Sequence, residues 1–227
     1  MSLQHSPRIV TNGLVLCLDA GSRKSYPGSG TVWNELSNNM SAELVNSPTF
    51  NSQNNGFFQF VTDDYTRIPN NTTLDTQTPS VEVWIKTNTT NQNGFWFEKG
   101  TVNSQYSLFQ SSVTLLWRQN IGGTLIDLNI TTSNFINTSS WYQVVGTFTS
   151  GRRRLYINGN LVNSDTQTGT ISTNSGGMSI GVYGGYSGAR GYYYNGSLAV
   201  CRVYNKELTP AEVLQNYNAT KGRFRLT

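Results

Sequence analysis

Trp141-Tyr-Gln-Val-Val-Gly-Thr-Phe-Thr149, then Ser150-Gly-Arg-Arg-Arg154, then Leu155-Tyr-Ile-Asn-Gly159 is the stretch whose reading decides the fold. Side chains of a strand point alternately to two faces, so the alternation on both sides of Ser150-Gly151 reads as two strands folded back on each other. Asn158-Gly159 then supplies the residue pair favoured by a two-residue hairpin turn, in which both central residues take positive φ.

Outward from this meander, the same alternation, bounded by Gly, Asn, Pro and Ser, predicts further strands. They are Leu14–Asp19, Phe57–Val61, Tyr65–Ile68, Val81–Thr87, Phe95–Lys99, Tyr106–Gln110, Thr114–Gln119, Thr124–Ile130, Asn160–Asp165, Met178–Val182 and Ser197–Tyr204. One helical segment, Pro210–Asn218, stands against them, with Thr209 as N-cap, Pro210 at the first position and Glu212 completing a capping box. No linker rich in Pro or charge interrupts the series. Residues 1–227 read as one all-β domain, a sandwich or a barrel, with a polar N-terminal lead and a basic C-terminal tail. In Val81-Glu-Val-Trp84-Ile-Lys86 one face is apolar, and the Trp84 face is expected to be a shallow, partly solvated surface; Leu155-Tyr156-Ile157 reads likewise.

The composition narrows the partners. A length of 227 residues suits one large β-domain, and only 12% are charged, about half the usual share. The net charge of +4 gathers at Arg152–Arg154 and at Lys221, Arg223 and Arg225, which read as a solvated turn and tail rather than the wide basic stripe of a nucleic-acid surface. No apolar run approaches the ~18–20 residues of a membrane span, and the start lacks the plan of a signal peptide. Neither nucleic acid nor membrane is therefore expected as a partner. Cys17 and Cys201 fall in the first and last clear strands and are expected as free thiols.

Catalytic chemistry finds little material. His5, the only histidine, stands in the polar lead, where no buried triad would form, and zinc lacks ligands. No phosphate-binding Gly-x-x-x-x-Gly-Lys loop occurs. The run Val182–Tyr194 is different, because its glycines oppose a regular strand while it carries several Tyr and an Arg. Tyr183, Tyr186, Arg190, Tyr192 and Tyr193 are the candidate contact residues, for a glycan or for a neighbouring subunit, since Tyr gives large contact area at low entropy cost.

The segments Trp141–Gly159 and Tyr194–Tyr217 resemble the laminin-G-like branch of the concanavalin A-like lectin/glucanase superfamily. The resemblance implies an antiparallel jelly-roll β-sandwich, the first and last long strands side by side, used more often to bind carbohydrate than to cut it. Val61-Thr-Asp63-Asp64-Tyr-Thr-Arg-Ile-Pro69 is similar to the family's G-x-D-D-Y-x-x-I/V-P, with Val61-Thr62 where the family has Gly. It makes Asp63 and Asp64 calcium candidates, beside the simpler reading of an Asx-type turn. Glucanase members carry Glu-x-Asp-x-Glu on one strand; here the nearest carboxylates are Glu82, Glu98, Asp63 and Asp64, with no such spacing. The expectation is a non-catalytic module that requires no cofactor, the alternative being a glycoside hydrolase or lyase. Ile9–Ser37 and Gln215–Phe224 are similar to laminin-G-like proteins of marine tailed bacteriophages. That likeness implies a virion component, a capsid decoration or a tail or neck appendage. Its partners would be other virion proteins, copies of itself or cell-surface polysaccharide, with the tail Lys221–Thr227 ordering against another virion chain.

Overall fold

In the computed structural model, which describes residues 7–101, 104–132, 135–185 and 190–226, the described residues form two antiparallel sheets of eight strands each. In chain order the strands are β1 (Leu14–Asp19), β2 (Val32–Asn34), β3 (Ser41–Val45), β4 (Thr49–Asn51), β5 (Phe57–Phe60), β6 (Tyr65–Ile68), β7 (Ser80–Thr87) and β8 (Gly94–Lys99). They continue as β9 (Tyr106–Ser111), β10 (Thr114–Ile121), β11 (Thr124–Thr131), β12 (Tyr142–Thr149), β13 (Arg152–Ile157), β14 (Asn160–Asp165), β15 (Met178–Ile180) and β16 (Gly196–Tyr204), followed by helix α1 (Pro210–Thr220). Sheet I runs β14-β13-β12-β7-β16-β5-β4, with β1 also on β16; sheet II runs β11-β10-β9-β8-β15-β6-β3-β2. β5 and β1 share one edge of β16, pairing with Gly196–Leu198 and Val200–Tyr204 respectively. The first and last long strands thus lie side by side, as expected of a jelly roll.

Val81, Val83 and Ile85 of sheet I share a core with Trp96, Phe97, Leu108, Leu115 and Trp117 of sheet II. At Gly146 the two sheets approach closely: a Cβ there would stand 2.4 Å from the Trp117 ring, so only glycine fits. The Trp117 indole N–H then donates to the Thr147 carbonyl at 3.0 Å, joining the sheets by a buried bond. Asn158 and Gly159 adopt φ 51° and 77°, the expected positive pair of the β13–β14 turn.

Four expectations need correction. The Trp84 face of sheet I is not solvated. Its indole is fully buried, stacked by Tyr217 of α1 at 5.9 Å and by Phe224 at 4.8 Å, and Tyr156 is buried as well. The tail does not wait for another chain, because Phe224 also stacks on Trp141 at 4.6 Å, and Arg223 pairs with Asp19 at 2.6 Å and donates to the Asn54 and Gly56 carbonyls. The hairpin arginines are not a simple solvated turn: Arg152 and Arg154 pair with Glu207, while Arg153 points inward to Asp165, Gln119 and the Ile126 carbonyl. Finally, β2, β3 and β4, unpredicted, complete the sheet edges. The thiols of Cys17 and Cys201 are free and buried. Cys17 is paired with Arg202 and Cys201 with Leu18, so the two side chains point to opposite faces of sheet I.

Glu82 organises the covered face. One carboxylate oxygen accepts from Trp84 Nε1 at 3.0 Å, Gln143 Nε2 at 3.1 Å and Arg202 Nη1 at 2.8 Å; the other accepts from Asn216 Nδ2 of α1 at 2.8 Å. Glu82→Ala leaves Arg202 buried without its counter-charge and should lower unfolding free energy in urea by about 3–5 kcal/mol. A loss below about 1 kcal/mol would show that water readily replaces the carboxylate.

Candidate ligand-binding site

With α1 and the tail spread over sheet I, the outer face of sheet II is the one that carries no helix among the described residues. Strand register lays a polar row across it: Glu43, Arg67, Ser179, Glu98, Ser107, Arg118 and Asp127 stand on successive neighbouring strands. Residues paired across an antiparallel ladder project to the same side, so these seven share the outer face. One step along lies an apolar pair, Phe95 and Phe109, stacked at 4.3 Å with rings 4° from parallel. A bulge between Phe95 and Phe97 makes this possible. It lets Phe95 face outward while Trp96 and Phe97 both enter the core. Arg118 lies over the Phe109 ring at 4.7 Å, held in plane by a two-pronged bond to Asp127 at 2.7 and 2.8 Å.

After β15 the chain turns across this face. Tyr183 and Gly191 exchange backbone bonds of 3.0 and 3.3 Å, closing the neck of a loop whose base is tied down by Gly181 N–H to the Phe95 carbonyl (2.9 Å) and Phe95 N–H to the Tyr192 carbonyl (3.2 Å). Gly184, at φ 68°, directs its N–H onto the Glu98 carboxylate at 2.6 Å. Ser104 donates to the same carboxylate at 2.6 Å and Ser179 at 3.3 Å. The result sets Tyr183 5.0 Å from the Phe95 ring, and Tyr192 6.5 Å from Phe95 and 6.1 Å from Tyr183. Together they enclose a pocket of about 440 Å³, lined by Asn93, Phe95, Phe109, Gln110, Ser111, Arg118, Tyr183 and Tyr192. Phe95 and Phe109 form a nearly buried floor; Tyr192, 57% exposed, is the free-standing wall.

Of the expected contact residues, Tyr183 and Tyr192 meet in this pocket. Arg190 does not join them: its guanidinium lies 5.1 Å over the Tyr65 ring on β6. Tyr193 is half-buried outside the pocket, and Tyr186 lies outside the described residues. Asp63 and Asp64 sit in the β5–β6 turn, where Asp63 accepts from Asn46 Nδ2 at 2.9 Å and Asp64 from the Val61 N–H at 3.1 Å. Burial pushes the Asp64 pKa up, and no group of three or more His, Cys, Asp or Glu gathers anywhere among the described residues. Glu82 and Glu98 belong to the outer faces of opposite sheets and do not converge. A larger cleft of about 1110 Å³ opens beside Pro7, Ile9 and the tail, but no aromatic ring lines it, and its Arg202 and Arg223 are committed to Glu82 and Asp19. The smaller pocket is the better candidate, because it joins an aromatic platform to polar groups. Phe95, Phe109, Arg118 and Asp127 were not singled out from sequence, although the β10–β11 turn at Gly122-Gly123 already implies that Arg118 and Asp127 face each other.

Burial raises the Glu98 pKa from its ordinary 4.5 to about 7, against the opposing help of Ser104, Gly184, Ser179 and the Arg118 charge. Between those values the folded chain retains a proton that the unfolded chain has released, so stability falls as pH climbs through the window and levels off above it. Glu98→Gln should flatten this part of the stability–pH curve in thermal melts. Equal slopes in variant and parent would place the titration elsewhere.

Residues 60–214 match the family model of a laminin-G-like domain, described as concanavalin A-like lectin/glucanases superfamily. No curated protein sequence matches the chain. Among solved structures, the binding domain of botulinum neurotoxin DC in complex with rat synaptotagmin II aligns with a TM-score of 0.71 at 15% identity, covering 92% of this chain and 52% of that one. The same toxin's binding domain in complex with SialylT gives 0.72 at 17%, covering 92% and 52%. The binding domain of Paraclostridial Mosquitocidal Protein 1 gives 0.70 at 18%, covering 91% and 52%. At such identities the likeness is one of fold, and the chain spans about half the length of those proteins. By the family match and by its two-sheet topology, this chain belongs to the concanavalin A-like lectin/glucanase superfamily, in its laminin-G-like branch.

Proposed function

We propose that this chain is a non-catalytic binding module that takes carbohydrate in the pocket on the outer face of sheet II. The observation that supports the reading is the pocket itself: Tyr192 and Tyr183 stand over the Phe95–Phe109 floor, beside Arg118, Asn93 and Ser111. A pyranose presents an apolar C–H face and a rim of hydroxyls, and such a pocket offers a ring surface and hydrogen-bonding groups side by side. The fold neighbours point the same way: they include a botulinum neurotoxin binding domain in complex with SialylT, and botulinum neurotoxin type C, whose cell entry depends on interaction with two ganglioside molecules.

Hydrolysis is the weaker reading. Both Glu98 oxygens accept bonds within the fold, and Asp127 is clamped by Arg118. Glu98 and Asp127 stand three strand steps apart on the row, about 14 Å between backbones. Retaining chemistry needs carboxyl groups about 5–5.5 Å apart. A location on a phage particle, as a capsid decoration or a tail or neck appendage, is our proposal on the likeness of Ile9–Ser37 and Gln215–Phe224 to tailed-phage proteins; mass spectrometry of purified particles tests it.

Glycan-array screening followed by titration calorimetry tests the binding reading. Tyr192→Ala should weaken the bound glycan by about tenfold or more, the scale of an aromatic anchor, while stability changes by less than about 0.5 kcal/mol, as at other exposed positions. Unchanged affinity would move the site elsewhere, and reducing-sugar release by the parent protein would establish an enzyme.

A further inference from the structure

We infer that the pocket on sheet II selects uncharged saccharides and disfavours carboxylated or sulfated ones, an inference that rests on the carbohydrate reading and narrows it. Among the described residues that line the pocket, Arg118 alone is charged. A lone arginine over an aromatic floor would ordinarily attract a carboxylate or sulfate. Here that role is already filled. The Nε and Nη2 edge of Arg118, the geometry that grips an anion by two parallel bonds, is taken by Asp127 at 2.7 and 2.8 Å.

The remaining charge in reach deepens the bias. Glu98 stands on the same row two strands from Arg118, with Ser107 between them, and faces Arg118 from beneath the Gly184 turn. Arg118 interacts favourably with both carboxylates, its pKa raised first by Asp127 and in smaller part by Tyr183 and Glu98. One cation therefore faces two carboxyl groups, and the local sum is zero or negative according to Glu98's proton. Among the described residues that line the pocket an incoming anion finds no uncompensated positive charge and, with Glu98 ionised, a net repulsion at short range in a partly desolvated site. A neutral sugar bears no such penalty. It can place its C–H face against Tyr192 and its hydroxyls toward the outward N–H groups of Arg118 and the amide and hydroxyl of Asn93 and Ser111, all at the same pocket.

Neutral and acidic saccharides of related structure provide the test: lactose against 3′-sialyllactose, and chitin oligosaccharides against hyaluronan oligosaccharides of equal length, titrated into the whole chain. The neutral member should bind about tenfold or more tightly than its acidic partner, roughly 1.4 kcal/mol. Asp127→Asn removes one negative charge and loosens the grip on Arg118, and it should raise the acidic-to-neutral affinity ratio by about tenfold. Circular dichroism and melting confirm that the variant is folded, and the ratio measured on the parent protein stands without any variant. An acidic member that binds as well as its neutral partner, or a ratio that Asp127→Asn leaves unmoved, overturns the selectivity. If neutral sugars bind but Tyr192→Ala changes nothing, or if nothing in the panel binds, the carbohydrate reading of this pocket fails and the selectivity fails with it.

Discussion

A carboxylate buried inside a sheet of hydrocarbon is the constraint on which the rest of this molecule depends. Glu82 has no access to water, so its charge must be met wholly by protein groups. Those groups come from β7, β12, β16 and α1: Trp84, Gln143, Arg202 and Asn216. The Asn216 bond is decisive, because it draws the helix onto the sheet, and the same side chain accepts the Val10 N–H at 2.8 Å. Helix, N-terminal run and sheet are thereby fixed by one polar centre. The apolar stack of Tyr217, Trp84, Phe224 and Trp141 then closes around it. Hydrophobic burial supplies the driving force, but the polar centre sets where the helix must lie.

Sealing one face decides the use of the other. Both sheets present alternating polar and aromatic residues on their outer sides, and neither pattern alone says which is solvated. Sheet I spends its aromatics on docking α1. Sheet II keeps Phe95, Phe109, Tyr183 and Tyr192 for a pocket that is mostly prebuilt, since the loop neck, the Gly184–Glu98 bond and the Phe95 backbone bonds hold the wall in place before any ligand arrives. A wall ordered in advance loses less entropy on binding than one that must be assembled.

Much of the fold could be read from sequence, because turns fix register and alternation fixes faces. Asn158-Gly159 and Ser150-Gly151 gave the meander, and Thr209 with Glu212 gave the helix start, where the capping box forms as expected. The site was legible only in fragments. Tyr183 and Tyr192 stood out as aromatics on a glycine-rich run, and the hairpins around Ser112-Val113 and Gly122-Gly123 imply the row Ser107–Arg118–Asp127. Its extension to Phe95 passes through the β8 bulge, which shifts register by one residue and is invisible to a period of two. Trp84 was misread for a related reason: a strand shows which residues share a face, but not what a helix more than a hundred residues later will place upon it.

Glu98 pairs with Ser107 on the turn side of the bulge and stands beneath the Gly184 turn. Placed there, it is nearly dry, and its proton is held to about pH 7. A glutamine could accept the Gly184 bond equally well in geometry, but it would not carry a charge that appears near neutrality. The loop latch and the pocket's electrostatics are therefore the same group. Below about pH 7 the Arg118–Asp127 pair sits beside a neutral acid; above it, beside a carboxylate. The charge that a ligand meets on this face is set less by Arg118, which never loses its proton, than by the buried residue two strands away.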